Sequence, residues 1–443
     1  MRAKREILLV LAAITVFTGC ISTQPKKAGE KDVVISVLAG QSTSDAGVED
    51  MIDEWMAENY PHVTFSWECV DWGDKFHQQM QGRFAAGDVP DIMIGKAQDV
   101  QDYAELGNLG TIPTSCIQKM EKGARELVSI DGKVYGMPYN AWYQGVIYNK
   151  NIFKTYRLQT PRTMEEMSHI IDVLRKNKIV PFAAHYQESW KTANMTMQYM
   201  MNDIFKDNPR WGDDFRSGKA DFSNNKKVIK SIKNNRFILE HSWEDALQLD
   251  QFESDDRFTQ GKAAMYLTGS WSLQFANQYG DDIDFGIFPY PNESGDAKLI
   301  KETNMTFMKS ADTRHGKLID DIFLSLLNDR ELLQEILSFT QSFSVVEGIK
   351  PAYTSKIQED IDQYEKEGRI IDVTVGNAQL VWRFQNMMAQ QQQLWMKGEK
   401  TLDEILAFAD QNRQFSSYTS AEETGLSDGD ASFGENSGEK EEW

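Results

Sequence analysis

The stretch RFAAGDVPDIMIG (residues 83–95) sets the pattern of the fold near the start of the chain. Its first residues end a helical segment, because Gly87 suits the position after a helix and Pro90 prevents the helix from continuing. The residues from Asp91 to Gly95 then form a short apolar run that is typical of a strand buried on both faces. The stretch therefore predicts a passage from a helix to a strand. It contains no metal-ligand set, nucleophile or phosphate loop, so it gives no sign of catalysis.

Two more strands and a helix are predicted upstream of this passage. The apolar run at 33–39 and the alternating run at 62–70 predict strands, and the segment between them predicts a helix that Pro61 ends. The two helices have apolar faces that consist of Val48, Met51, Ile52, Trp55 and Met56 in the first and Phe76, Met80 and Phe84 in the second. Strands and helices that alternate at this short spacing predict a parallel sheet covered by helices.

The remainder of the chain predicts a second, more helical region. Asp131 and Gly132 predict a turn between two short extended pieces. Thr163 and Glu166 form a capping-box pattern at the start of a helix. Helical patterns dominate from residue 181 to about 270, strand character returns at 285–291, and helices follow to the end of the region.

Length and charge restrict the possible functions. A chain of 443 residues exceeds what one hydrophobic core usually organises, so two domains are expected. The net charge of -20 argues against binding to nucleic acid or to anionic lipid headgroups. The eleven tryptophans are numerous for this length, although large core residues account for most of them.

The N-terminus resembles a bacterial lipoprotein signal. Three basic residues precede an apolar run from Ile7 to Phe17, which is too short to span a bilayer. The run ends at Phe17-Thr18-Gly19-Cys20, and a polar spacer follows. We therefore expect a signal peptide at 1–19, a lipid on Cys20 and a flexible spacer at 20–30; the alternative is a plain secretory signal with an incidental cysteine.

Catalytic and metal-binding patterns are not found. The six histidines have no zinc-ligand spacing, and there is no GxSxG, P-loop or GxGxxG pattern after a strand. Two acidic clusters are better explained as solvated loops than as hydrolase carboxylates: Asp281, Asp282 and Asp284 in one, Asp255 and Asp256 in the other. No cofactor and no metal is expected. Cys69 and Cys116 either pair or remain free, with a buried free thiol at least as favoured for Cys69.

Several segments together resemble one family, the extracellular solute-binding proteins, family 1, which are sugar-binding lipoproteins of bacterial ABC importers. The matching segments are the lipobox at Cys20, FAAGDVPDIMIG, DGKVYGMPY, GVIYNKNIFKTYRLQTPRTMEEM, FTQGKAAMYLTGSW, FGIFPYP, GIKP and VWRFQNMMA. The resemblance implies an α/β, two-lobed periplasmic-binding-protein-like fold (type II), with parallel-sheet lobes joined by a multi-strand hinge. It also implies lobe one at 31–138 plus 299–328 and lobe two at 139–298 plus 329–412. Residues 413–443 are expected to form an acidic disordered tail.

Candidate ligand residues follow from the predicted strand ends and from the aromatic residues. Ligands bind at the carboxyl ends of parallel strands and in clefts between domains, and sugars need aromatic faces beside hydrogen-bonding groups. Asp45 has an alternative interpretation as a helix N-cap. The family resemblance adds weight to the positions at 96–98, 271 and 382–383. The full set is Gln41, Ser42, Asp45, Trp72, Lys96, Gln98, Asn140, Trp142, Tyr143, Glu188, Trp190, Trp271, Trp382 and Arg383.

The resemblance implies capture of a carbohydrate outside the membrane by hinge closure and its delivery to a membrane permease. The chain is expected to be a monomer held to the bilayer through Cys20. Alternatives from other classes are an exported carbohydrate-active hydrolase and a sensor that reports to a membrane kinase. Within the binding class, polyamine and iron binders share related folds, but the aromatic content favours a sugar.

Overall fold

The computed structural model describes residues 32–41, 46–72, 74–273, 283–351 and 355–417. Its elements, numbered in chain order, form two lobes. The strands of the first lobe are β1 (Val33–Gln41), β2 (Val63–Asp71), β3 (Ile92–Lys96), β4 (Leu109–Gly110), β7 (Gly136–Pro138) and β13 (Met305–Ser310). Its helices are α1 (Val48–Asn59), α2 (Asp74–Ala86), α3 (Val100–Glu105), α4 (Lys122–Leu127), α11 (Gly316–Asn328) and α12 (Arg330–Phe339).

The predicted strand–helix order at the start of the chain is confirmed. The first sheet has the order β2-β1-β3-β13-β4, with β7 also paired to β13. β1 runs parallel to both β2 and β3, whereas β13 returns from late in the chain and runs antiparallel to β3. The predicted turn at 131–132 is also present, because it joins the short strands β5 (Ser129–Ile130) and β6 (Lys133–Val134).

The stretch at 83–95 folds as its sequence predicts. Gly87 has a φ of 66° and ends α2. Its N–H donates to the carbonyl of Phe84 at 3.2 Å, and the N–H of Asp88 donates to the carbonyl of Arg83 at 3.0 Å, the two bonds of a Schellman cap. Asp91 then fixes the start of β3, because its carboxylate accepts from the N–H and hydroxyl of Ser36. Burial opposes ionisation of Asp91, yet hydrogen bonds from Thr313 and Ser36 hold its pKa below the usual value.

The second lobe is larger and more helical, as predicted. Its strands are β8 (Asn140–Asn149), β9 (Val180–Ala183), β10 (Ala263–Gly269), β11 (Phe285–Phe288), β12 (Leu299–Thr303), β14 (Phe343–Ser344) and β15 (Ile370–Asp372). Its helices are α5 (Lys150–Tyr156), α6 (Met164–Lys176), α7 (Ser189–Met200), α8 (Trp211–Arg216), α9 (Lys226–Glu240), α10 (Gln251–Thr259), α13 (Gln358–Lys366), α14 (Thr374–Asn377), α15 (Trp382–Met396) and α16 (Leu402–Gln411). The predicted capping box of Thr163 and Glu166 begins α6.

The second sheet is mixed rather than parallel throughout. Its order is β15-β12-β8-β10-β9, with β11 and β14 also paired to β8. The long central strand β8 is antiparallel to β10, β11, β12 and β14, whereas the pairs β9–β10 and β12–β15 are parallel. All ten residues of β8 are buried.

The two cores place the lobe boundaries differently from the expected 299 and 328. β12 pairs with β8 and β15, so residues 299–303 belong to the second lobe. Leu332, Leu333 and Ile336 of α12 pack in the first core. Asp329 fixes this placement, because it caps α12 through the N–H of Leu332 and accepts from Nε1 of Trp55 at 2.8 Å. The second segment of the first lobe therefore extends past residue 328, through α12.

The structure also tests the expectations for the C-terminal tail and for the two cysteines of the folded region. Arg413–Ser416 forms a short 3-10 helix whose Ser416 is buried, so the expected disordered tail does not begin at 413; residues 418–443 lie outside the described part. Cys116 is buried, whereas Cys69 is exposed, and neither forms a disulfide, so the expectation of a buried Cys69 is wrong. Within the described ranges no helix has the length and apolarity needed to cross a membrane.

Candidate functional site

A cleft of about 880 Å³ lies between the two lobes. Its walls come from the carboxyl ends of β1–β3 in the first lobe and from β8, α7, α10 and α15 in the second. A volume of this size is typical of a small-molecule site. Nine of the predicted ligand residues line it, namely Gln41, Trp72, Lys96, Gln98, Trp142, Glu188, Trp190, Trp271 and Trp382.

The wall of the first lobe is built by strand register. β1 and β2 are paired so that Gln41 lies opposite Asp71, and β3 ends beside them at Lys96. The carboxyl ends of these parallel strands therefore meet at the cleft, which is the location that the sequence predicts. The ammonium group of Lys96 lies 5.7 Å from the ring centroid of Trp72, close enough for a cation–π contact.

A glycine lies directly beneath the Trp72 ring. A Cβ atom added to Gly40 on β1 would lie 2.3 Å from a ring carbon of Trp72. Phe76 supports the same ring from its edge, with centroids 5.0 Å apart. Only glycine, which has no Cβ atom, leaves room for the indole to pack directly on the backbone of β1. The contacts with Gly40 and Phe76 therefore fix the position of the Trp72 ring at the cleft wall.

The second lobe repeats this arrangement with Trp271. This residue follows β10, and a Cβ atom added to Gly269 would lie 2.0 Å from its ring. Trp142 of β8 and Trp190 of α7 flank the Trp271 ring, each with centroids 6.4 Å away and steeply inclined planes. Each lobe thus presents to the cleft one tryptophan whose ring packs on a glycine.

Neutral amides form much of the remaining surface of the cleft. Gln198 donates to Asn194 at 2.9 Å, Asn194 donates to Gln144 at 3.0 Å, and Gln144 donates to the buried carboxylate of Glu302. Further amides come from α15, from the start of α10, from the end of α14 and from the loop before α7, namely Gln187, Gln251, Asn377, Gln385, Asn386, Gln390 and Gln393. The sequence carries a signal for part of this set, because Asn386, Gln390 and Gln393 lie at i, i+4 and i+7, which is one face of a helix.

Buried charges lie behind the aromatic wall, and the sequence did not reveal them. Lys191 is fully buried on α7, and its ammonium donates to the carbonyl of Leu267 at 2.6 Å. Asp255 is fully buried on α10, which corrects the expectation that Asp255 and Asp256 lie in a solvated loop. Burial lowers the pKa of Lys191 to about 7 and raises that of Asp255 to about 7, while each charge opposes the shift of the other.

Glu188 and His185 lie beside this pair. The carboxylate of Glu188 accepts from the N–H of Gln251 at 3.2 Å and lies 3.1 Å from Nδ1 of His185. Burial raises the pKa of Glu188, but the interactions with His185 and the hydrogen bonds from Trp190 and the backbone N–H of Gln251 together outweigh it, so the pKa lies below its usual value. Burial lowers the pKa of His185 to about 4, so this imidazole is neutral at pH 7.

Three predicted ligand residues do not line the cleft. Side chains on a strand alternate, so Trp142 and Gln144 of β8 face the cleft while Tyr143 faces away and donates to Glu365 at 2.9 Å. Arg383 is exposed, with its guanidinium 5.5 Å from the Phe415 ring. Asn140 is buried between the lobes and bonds to the backbone of Met305. The expectation that these three residues reach the ligand surface is therefore corrected.

Some predicted residues fall outside the described part of the chain, namely Ser42, Asp45 and Cys20, as do Asp281 and Asp282 of the second acidic cluster. Among the described residues, no group of three or more His, Cys, Asp or Glu side chains is arranged to hold a metal ion.

Comparison with known proteins identifies the family and the fold of this chain. The multiple sugar-binding protein of Streptococcus mutans is 23% identical over 383 residues, which cover 80% of this chain and 86% of that protein. An uncharacterized lipoprotein of Streptomyces antibioticus is 28% identical over 141 residues, 31% of this chain and 31% of that protein. A solved structure of a chitin oligosaccharide binding protein shares the fold, with a TM-score of 0.73 at 17% identity over 87% of this chain and 99% of that chain.

The family model named bacterial extracellular solute-binding protein matches residues 39–321, which is more than half of the chain. The match runs from β1 to α11 and so includes most strands of each sheet, all but β14 and β15 of the second, and most of the cleft wall. It confirms the family and the two-lobed fold class predicted from the sequence. The chain belongs to the bacterial extracellular solute-binding protein family.

Proposed function

We propose that this protein is the lipid-anchored carbohydrate-binding component of an ABC importer. It captures a sugar or an oligosaccharide in the cleft and delivers it to a membrane permease. The observation that carries the proposal is the pair of glycine-backed tryptophans, Trp72 in one lobe and Trp271 in the other. The similarity to a multiple sugar-binding protein supports the same ligand class.

The chemistry of the cleft suits a carbohydrate. A sugar ring has flat C–H faces that pack on an indole, and hydroxyls around its edge that both donate and accept hydrogen bonds. Side-chain amides also donate and accept, so the amides around Gln144 and Asn194 match these hydroxyls without requiring charge on the ligand. Lys96 and Glu188 add charge-assisted hydrogen bonds from opposite lobes.

Binding is coupled to lobe closure in this proposal. Trp72 and Lys96 belong to one lobe and Trp142, Trp190 and Trp271 to the other, so only a closed form contacts the ligand from both sides. A ligand with this preference shifts the hinge equilibrium toward the closed form. The permease then distinguishes the loaded protein by its closed shape.

The proposed anchor is Cys20, acylated after removal of residues 1–19. Two or more acyl chains hold a folded domain at a bilayer stably, and the related Streptomyces protein is described as a lipoprotein. The monomer would then face the outside of the cell membrane. Replacing Cys20 with serine should release the protein into the medium, whereas wild type remains with the membrane fraction; equal membrane retention of both would refute the anchor.

We further propose that the protein binds and does not catalyse. The test is a thermal-shift screen of the full chain against neutral sugars from monosaccharides to hexasaccharides. A ligand present at 100 times its Kd stabilises the folded state by about 2.7 kcal/mol, so a cognate sugar raises Tm clearly. The sugar is then incubated with the protein and recovered: intact sugar in a one-to-one complex supports binding, whereas cleaved sugar indicates a hydrolase. No Tm shift with any sugar would refute the carbohydrate assignment.

A further inference from the structure

Three chain segments meet between the lobes. Residues 139–141 lead from β7 into β8, residues 303–305 lead from β12 into β13, and residues 340–344 lead from α12 into β14. We call these the hinge segments. They lie side by side, because Ala141 is paired with Thr303 on one side and with Phe343 on the other. The first two segments connect the lobes directly. The third leaves the first core after α12, pairs with β8 through β14 and returns to the first core at Val345 and Val346. Any change in the angle between the lobes must therefore bend the first two segments and shift them against the third.

One side chain, that of Asn140, bonds to both of the other segments. Its Oδ1 accepts from the N–H of Met305 at 2.9 Å, and its Nδ2 donates to the hydroxyl of Ser342 at 3.3 Å. Its backbone carbonyl also accepts from the N–H of Asn304 at 3.0 Å. The Ser342 hydroxyl shares a further hydrogen bond of 2.8 Å with Thr340 of the same segment, which orients this hydroxyl toward Asn140.

The chemistry of this contact requires an amide. Asn140 is 1% exposed, so water does not replace a lost partner. The side chain accepts from a backbone N–H and donates to a hydroxyl at the same time, and the amide of asparagine does both without carrying a charge. A polar group in this position costs stability unless it is fully bonded, so its location between the lobes needs a reason other than packing.

We propose that Asn140 is a positioning residue that couples the three hinge segments, so that the lobes open and close about one axis as rigid bodies. The residue touches no ligand; it makes Trp72 and Trp271 meet the same ligand in a reproducible geometry. This inference rests on the lobe closure proposed above. It predicts that removing the Asn140 contacts lets the hinge segments move independently of one another and widens the range of lobe orientations.

The test measures the distance between the lobes without any ligand. Spin labels are placed at Glu105 and Lys397, which are exposed at the ends of α3 and α15, in a full chain whose native cysteines are replaced. Pulsed electron–electron double resonance then gives the distribution of distances between the two spin labels for wild type, for Asn140→Ala and for Ser342→Ala. The matched control is Asn149→Ala. Asn149 is 3% exposed at the other end of β8, and its side chain caps α5 by accepting from Ile152, far from the hinge segments.

Asn140→Ala is expected to widen the distribution, Ser342→Ala to widen it less, and Asn149→Ala to leave the wild-type width while also lowering Tm. If Asn140→Ala does not fold, the width of the distance distribution in Ser342→Ala tests the inference instead. A wild-type width in the folded hinge variants overturns the inference, because a merely structural asparagine lowers Tm and leaves the distances unchanged. That result would not affect the proposed function, which fails separately if no sugar raises the Tm of wild type.

Discussion

Replacing Gly269 with alanine should displace Trp271 without removing it. The added Cβ would lie 2.0 Å from the nearest ring carbon, whereas carbon atoms in contact prefer about 3.5 Å, so the indole must shift by roughly 1.5 Å. Gly269 is a strand residue without a positive φ, so the backbone itself accepts alanine. The flanking Trp142 and Trp190 limit where the ring can go.

The expected consequence is weaker sugar binding. A well-placed aromatic contact contributes about 0.5–1.5 kcal/mol beyond the burial of area, and a shift of this size removes most of it. Because 1.4 kcal/mol corresponds to a factor of ten in Kd, we expect affinity to fall by about twofold to tenfold. Isothermal titration calorimetry with the sugar that raises Tm gives this number directly.

A matched glycine provides the control. A Cβ added to Gly82, which lies in α2, meets no atom within 4 Å, so Gly82→Ala should leave Kd unchanged. Gly40→Ala should reproduce the loss in the first lobe, because its Cβ would lie 2.3 Å from Trp72. If Gly269→Ala binds sugar as tightly as wild type, Trp271 does not contact the ligand and the reasoning is refuted.

Further predictions concern the opposite wall and the buried charges. Trp72→Ala should weaken sugar binding by at least tenfold in calorimetry, and it should also lower the Tm of the ligand-free chain because the ring packs on Gly40 and Phe76; an unchanged Kd in the folded variant would exclude Trp72 from the ligand surface. His185 has a folded pKa of about 4, below its usual value of about 6.5, so its stabilising effect is present above pH 6.5 and is lost as the pH falls toward 4. This loss amounts to about 3 kcal/mol, and His185→Gln should flatten that part of the urea-denaturation profile; a profile of unchanged slope would count against a buried neutral imidazole. Lys191→Met leaves the buried Asp255 without its cation and should cost about 3–5 kcal/mol in urea unfolding, whereas adding Asp255→Leu should restore most of it; an equal loss in the double variant would show that the two charges are not coupled.

The first lobe was predictable because its signals are local. The stretch at 83–95 contains its own helix stop and strand start, and the apolar faces of α1 and α2 follow helical periodicity. The order of these elements predicts that the strands pair in parallel. Parallel pairing in turn brings Gln41, Trp72 and Lys96 together at one edge of the sheet. Each step uses neighbours in sequence, so no long-range information was needed.

Other features depend on contacts between distant residues. Lys191 and Asp255 are 64 positions apart, and each lies in a polar segment that is typical of a surface, so their burial against one another could not be predicted. The position of α12 in the first lobe depends on the hydrogen bond from Trp55 to Asp329. Tyr143 is different, because the alternation of a strand already indicates that Trp142 and Tyr143 face opposite sides. On β8 the same alternation indicates that Gln144, and not Tyr143, shares the cleft face with Trp142.

The most direct test of closure around a sugar is small-angle X-ray scattering of the full chain with and without the sugar identified by thermal shift. We predict that saturation with this sugar lowers the radius of gyration, as Trp72 and Trp271 close on the ligand from opposite lobes. At a sugar concentration near the wild-type Kd, the radius of gyration should fall less in Gly269→Ala than in wild type, because fewer of the variant molecules are then occupied. An unchanged radius of gyration in wild type at full saturation would contradict the account, because the sugar would then bind without bringing the lobes together.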